Sequence, residues 1–219
     1  YGRQASVASK PWTRENWQCL PPSQIVVILT PVHGCIAMSE AHIFTIGILL
    51  AWLAGIRVYL TVFGVGLAGL FGWVDLPPAL QATTSWWVLG TSGVLAAVEF
   101  FADKLPGVDS VWDLLQTLTR VPAGAFLAAA ALSPDGELSN GVLAAGAGVA
   151  LTSHSIKSGT RMLLNTSPEP ASNWLASLWE DAIAVLSLLL ATISPVLALV
   201  FLLGASVMIA ALIWMTWSL

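Results

Sequence analysis

Beyond residue 43 the chain is a series of long apolar runs cut by short polar turns. Apolar runs of about 20 residues read as helices long enough to span a bilayer. Six such segments are predicted, over residues 43–74, 86–104, 121–132, 141–161, 174–193 and 196–217. Turn formers separate them: Pro77 and Pro78, Pro106 and Gly107, Pro134 and Gly136, Pro168 and Pro170, and Pro195. The third run is short by itself and is extended backwards through residues 114–118. The first is longer than one span needs and holds Gly55 and Arg57, so it is either strongly tilted or broken near residues 54–57. The pattern predicts an all-α polytopic transmembrane helix bundle.

Composition removes the soluble alternative. The 219 residues are 57% hydrophobic and 9% charged, with a mean hydropathy of +0.81. Soluble domains carry about 25% charged residues. No charge occurs in residues 76–98 or 182–219. The net charge of −4 and the lack of a basic patch interleaved with aromatics exclude nucleic acid as a partner. Cys19 and Cys35 both precede Met38, so the membrane body has no disulfide and no thiolate metal site. Residues 1–37 differ from the rest. They hold Arg3, Lys10, Arg14 and several prolines, and their apolar run at 25–29 is too short to span. They also lack the apolar stretch and cleavage site of a signal peptide. The expectation is a disordered or mis-annotated extension over 1–37, with Met38 as initiator, and a single transmembrane domain over 38–219.

The cations orient the bundle. Lys104 and Arg120 flank the second loop, Lys157 and Arg161 close the fourth segment, and the loops at 75–85, 133–140 and 194–195 have no Lys or Arg. The positive-inside rule then puts both termini and the 104–120 loop on the cytoplasmic side, of a bacterial inner membrane since Met38-Ser-Glu-Ala reads as a bacterial start. Trp73, Trp86 and Trp87 fall at one interface, and Trp112, Trp174, Trp179, Trp214 and Trp217 at the other, as aromatic belts do. Gly55-Ile-Arg57 resembles Gly159-Thr-Arg161, Glu99 matches Glu180, and Pro122 matches Pro195. Two inverted three-helix repeats would relate them. Against this, Glu99, Asp103, Glu180 and Asp181 all fall toward one predicted side.

An ionised side chain at the bilayer centre costs roughly 2.5–3.5 kcal/mol, so such groups face inward and pair. Glu99 and Asp103 share one helix face, about 6 Å apart along the axis. Asp109 and Asp113 repeat the spacing after Pro106-Gly107. His154, Lys157, Arg161 and Asn165 form one polar stripe on an apolar helix. Arg57 lies in the first segment, and Glu180 and Asp181 enter the fifth. The economical arrangement sets Arg57 and the basic stripe against the acids of segments two and five. Local roles compete with this. Asp113 and Glu180 each close an S-x-x-[DE] capping pattern, Asp109 reads equally as a solvated loop residue, and Lys104 and Arg120 as topology signals. Glu99 has no local explanation.

The run EFFADKLPGVDSVWD from Glu99, then Arg120-Val-Pro122, HSIKSGTR from His154, NTSPEP from Asn165 with Asn173, and SLWED from Ser177 resemble a bacterial membrane family known as domain of unknown function 4126. The likeness covers about residues 41–212 and departs at Val121, where Pro122 is expected to follow Pro or Arg. It implies a bacterial polytopic membrane protein whose defining residues are the charged motifs, and it implies no activity.

Three functions follow. The first is a transporter or channel for an ion or a small anionic or polar solute. Glu99 would be its coupling acid; Arg57, Lys157 and Arg161 would hold an anionic group such as a lipid head group, and Asn165 would orient it. The second is an Mg²⁺-dependent intramembrane enzyme acting on a lipid phosphate, with Asp109 and Asp113 as metal candidates. The third is a non-catalytic scaffold or assembly factor. No cofactor is implied outside the enzyme reading, the bilayer is the one partner the pattern requires, and homo-oligomerisation stays open.

Overall fold

The computed structural model describes residues 40–105, 107–133, 136–164 and 170–218. Among them are α1 (Glu40–Leu70), a 3₁₀ helix (Pro78–Thr84), α2 (Trp86–Ala102), α3 (Val108–Ala131), α4 (Asn140–Leu164), α5 (Pro170–Ile193) and α6 (Pro195–Ser218), with no strand. The extension at 1–37, its cysteines and Asn165 lie outside the described residues.

The six long helices stand where the apolar runs put them. The Ser85 hydroxyl accepts the Val88 N–H at 3.4 Å and caps α2. Gly107, with φ +85°, opens α3 from a left-handed conformation that a residue with a Cβ rarely takes. Pro170 and Pro195 stand at first helical positions, where their missing N–H costs nothing. The third segment does extend backwards, to Val108, with Pro122 inside the helix. In α1, Arg57 takes a non-helical φ of −142° and ψ of 76°. The first segment is therefore broken, at Arg57.

Helix α1 is the hub and packs against every other helix, while α3 and α4 pack closely together. Small residues allow the approach. A Cβ on Gly55 would meet the Ser153 hydroxyl at 1.8 Å and the Ala150 carbonyl at 2.3 Å, and one on Gly124 would meet the Ala150 Cβ at 2.4 Å. One apolar cluster joins Leu49 and Leu53 of α1 to Ile183 of α5 and Leu202 of α6. A second joins Leu50 and Ala54 of α1 to Leu127 of α3 and Leu80 of the 3₁₀ helix.

By length and composition three helices can cross a membrane: Ala41–Leu70, Val108–Ala131 and Trp174–Ile193. The 3₁₀ helix and α2, bent by 68° at Ser85, make a fourth if counted as one span. Helix α4 carries His154, Lys157 and Arg161, and Pro195–Ile209 of α6 is a shorter apolar helix among the described residues. Six long helices are thus present, but only three or four of them qualify as spans, and the expectation of six spans is not met by length and composition among the described residues. The expected inverted repeat gains no support from the packing: α1 lies against α2 and α3, whereas α4 barely touches α5 and α6.

Candidate functional site

The break at Arg57 aims a guanidinium into the bundle. Its Nη1 pairs with Asp103, and its Nη2 reaches Asp181 Oδ1 at 2.9 Å and Glu180 Oε2 at 3.6 Å. The same nitrogen donates to the Ser177 carbonyl and hydroxyl, both at 3.2 Å. Side chains of α4 also donate to two carbonyls of α1 before the break. Ile56 accepts from Lys157 Nζ at 3.3 Å, and Trp52 accepts from the Ser153 hydroxyl at 2.9 Å.

Lys157 projects from α4 into the middle of the acids. Its ammonium lies 2.7 Å from Asp103 Oδ2, 3.3 Å from Asp113 Oδ1 and 3.8 Å from Glu180 Oε2. One turn on, Arg161 reaches Glu180 Oε2 at 2.8 Å and the Asp103 carbonyl at 3.0 Å. Asp103 lies beyond the end of α2.

Arg120 ties α2, α3 and α4 together. It is 0% exposed. Its Nη2 pairs with Glu99 Oε1 at 2.7 Å, and its Nη1 with Asp113 Oδ1 at 2.9 Å and His154 Nδ1 at 3.0 Å. An arginine only donates, so His154 Nδ1 accepts and its proton sits on Nε2. From there it faces the Thr117 hydroxyl at 2.7 Å, which in turn donates to the Asp113 carbonyl at 3.1 Å.

Glu99, Asp103, Arg57, His154, Lys157, Arg161, Glu180, Asp181 and Asp113 are thereby one connected network. The partner of Glu99 is neither Arg57, Lys157 nor Arg161, as the sequence suggested, but Arg120. Arg120 and Lys104 are not mere topology signals. Lys104 Nζ bonds Asp181 Oδ2 at 3.2 Å and Ser177 at 3.3 Å, and lies 3.0 Å from the centroid of the Phe100 ring. Asp113 and Glu180 are not caps either, since both are held by cations inside the bundle. Asp109 is not solvated. It is 0% exposed, and its Oδ1 accepts the Gly107 and Ser110 N–H groups at 2.9 and 2.7 Å. Among the described residues no group of three or more His, Cys, Asp or Glu is arranged to hold a metal ion.

Sequence reasoning missed Arg120, Lys104, Ser177 and Thr117. Asp109, Asp113, Gln116 and Arg120 are all buried on α3, at helical spacing. That stripe was the available signal for Arg120. Ser177 and Thr117 had no such signal.

A groove of about 640 Å³ runs between α3 and α4, and its walls include Asp113, Thr117, His154, Ser155, Ser158 and Arg161. Among the described residues Asp113 Oδ2, Glu99 Oε2 and Asp103 Oδ1 are buried with no hydrogen-bond partner.

A family model described as Domain of unknown function (DUF4126) matches residues 44–217. No curated protein and no solved structure matches the chain.

Proposed function

We propose, from the premise that the chain belongs to the DUF4126 family, that it is a membrane transporter or channel for an ion or small polar solute and that the buried charge network is its site. The carrying observation is the groove of about 640 Å³ that reaches Asp113, His154 and Arg161. Intramembrane charges that line a cavity mark ion and solute pathways. The broken α1, with carbonyls turned to side-chain donors, is the kind of discontinuous helix that builds such sites. The pairing disfavours an anion, because each cation already faces a carboxylate. A cation or neutral solute meets the hydroxyls of Thr117, Ser155 and Ser158 and the side chain of Asp113 along the groove instead.

Flux of alkali cations, protons and small polar solutes into proteoliposomes tests this. Asp113→Asn and His154→Gln should cut the wild-type flux at least about tenfold, a rise of about 1.4 kcal/mol in the barrier, while the protein still elutes as a folded species. Wild-type protein that moves none of these solutes overturns the reading.

One observation favours a scaffold. The network sets five cations against five carboxylates, a balance that a purely structural core also needs. On that reading the same two variants lose thermal stability and the wild type shows no flux.

A further inference from the structure

Arg120 holds two carboxylates and one imidazole. The imidazole is the partner whose charge ordinarily changes near neutral pH. His154 stands on α4 in the wall of the groove and is 4% exposed. Both of its ring nitrogens are engaged. Nδ1 accepts from Arg120 Nη1 at 3.0 Å, and Nε2 faces the Thr117 hydroxyl at 2.7 Å and the Ser158 hydroxyl at 3.4 Å. The ring thus joins α4 to α3 twice, once as acceptor and once as donor.

A further proton has one place to go. Nε2 already carries one, so the next must take Nδ1. Its N–H would then oppose the Arg120 N–H, donor against donor and cation against cation. The bond between His154 and Arg120 cannot survive that. The neighbouring charges are divided. Asp113 of α3 attracts an imidazolium, but its Oδ1 is shared between Arg120 at 2.9 Å and Lys157 at 3.3 Å. Lys157 itself opposes the added charge. Glu99 of α2 is paired with Arg120, and Glu180 of α5 with Arg161. Helix α6 has no ionisable side chain. From α1 the Gly55 carbonyl faces the ring, an acceptor for the Nδ1–H once Arg120 has let go.

We infer that His154 is an acid-sensitive latch between α3 and α4, which ties Arg120 to Thr117 while neutral and releases Arg120 when protonated. What the latch controls rests on the transport reading: its release loosens the wall of the groove, so acid raises flux. The latch itself requires no flux.

The chain has three histidines, so His33→Gln with His42→Gln leaves His154 as the one imidazole for ¹⁵N-histidine NMR. At pH 7.5 its spectrum should be that of the neutral ring with the proton on Nε2. Adding Glu99→Gln and Arg120→Gln removes the opposing guanidinium, and the ring should then charge at least one pH unit higher, a tenfold gain in proton affinity. Thermal unfolding gives a second readout. The folded protein keeps the ring neutral, while the unfolded chain takes its proton near about pH 6.5. Stability is therefore lost as the pH falls through that value. Between pH 7.5 and 5.5 the Tm of wild type should fall by about 3 °C more than that of His154→Gln, whose amide keeps a donor and an acceptor but takes no proton. An imidazolium at pH 7.5, or a proton on Nδ1, overturns the latch, as does a Tm that follows pH alike in the two proteins. If His154→Gln is lost on extraction, the NMR pair decides: a ring that charges at the same pH with and without Arg120 overturns it. With equal pH on both faces of proteoliposomes, wild-type flux should rise over the range in which the ring charges, and flux through His154→Gln should stay low throughout. The expected titration without any flux keeps the latch and removes transport; flux with a ring indifferent to Arg120 does the reverse.

Discussion

Arg120 shows what one residue does in this network. A planar guanidinium can hold three acceptors on three helices in fixed directions, and here they are Glu99, Asp113 and His154. Glu99 is 1% exposed, and Arg120 is the one cation paired with it among the described residues. Removing one member of a buried pair strands the other and costs about 3–5 kcal/mol. Arg120→Gln should destabilise the protein by that much in thermal or denaturant unfolding. Glu99→Gln with Arg120→Gln should recover a good part of the loss, because the stranded carboxylate is then neutral. Arg120→Lys should not substitute, since an ammonium lacks the fork. The importance of Glu99 was legible in the sequence, because an uncharged run precedes it. Its partner was not, because Arg120 sits where an apolar run begins and such cations ordinarily mark topology. The stripe it shares with Asp113 and Gln116 shows only when residues 108–131 are read as one helix across Pro122.

The helices were legible as elements because each is a long apolar run bounded by Pro or Gly. The 3₁₀ helix was not. Its residues Pro78–Thr84 read as a proline-bearing loop, and its order comes from tertiary packing that buries Leu80 and Thr83. The likeness between Gly55-Ile-Arg57 and Gly159-Thr-Arg161 also dissolves at this scale. Both arginines reach the acids, but the two glycines do different work. Gly55 lies where α1 crosses α4, and an added Cβ would meet a backbone carbonyl at 2.3 Å. Nothing lies within 4 Å of a Cβ at Gly159. Gly55→Ala should therefore cost about 1–3 kcal/mol through overpacking. Gly159→Ala should be neutral or stabilising by up to about 1 kcal/mol, from helix propensity. Paired unfolding curves check the contrast, and equal effects would mean that α1 and α4 do not cross at Gly55.

The whole molecule spends every Lys and Arg beyond Arg14 on one network: Arg57, Lys104, Arg120, Lys157 and Arg161. The cations that suggested an orientation are therefore buried in protein, and the sign of the topology has to be measured at exposed sites. Leu105, 54% exposed, and Trp86, 81% exposed, lie at opposite ends of α2. In a background without Cys19 and Cys35, single cysteines at these positions should be labelled from opposite sides, Leu105→Cys from the cytoplasm. Labelling of both from one side would make α2 and its 3₁₀ helix a re-entrant segment. The electroneutrality of the network bears on function more directly. Replacing both members of a buried pair by apolar residues of similar volume is often neutral or stabilising by about 1–4 kcal/mol. Glu99→Leu with Arg120→Met should then leave Tm near the wild-type value. A core whose charges only hold helices together would keep whatever the protein does in that variant. A network that guides a cation would not, because the pair contacts Asp113 and His154 at the wall of the groove. The expected result is a folded protein whose flux has fallen at least about tenfold. Undiminished flux in the folded double variant would place the pathway away from Glu99 and Arg120.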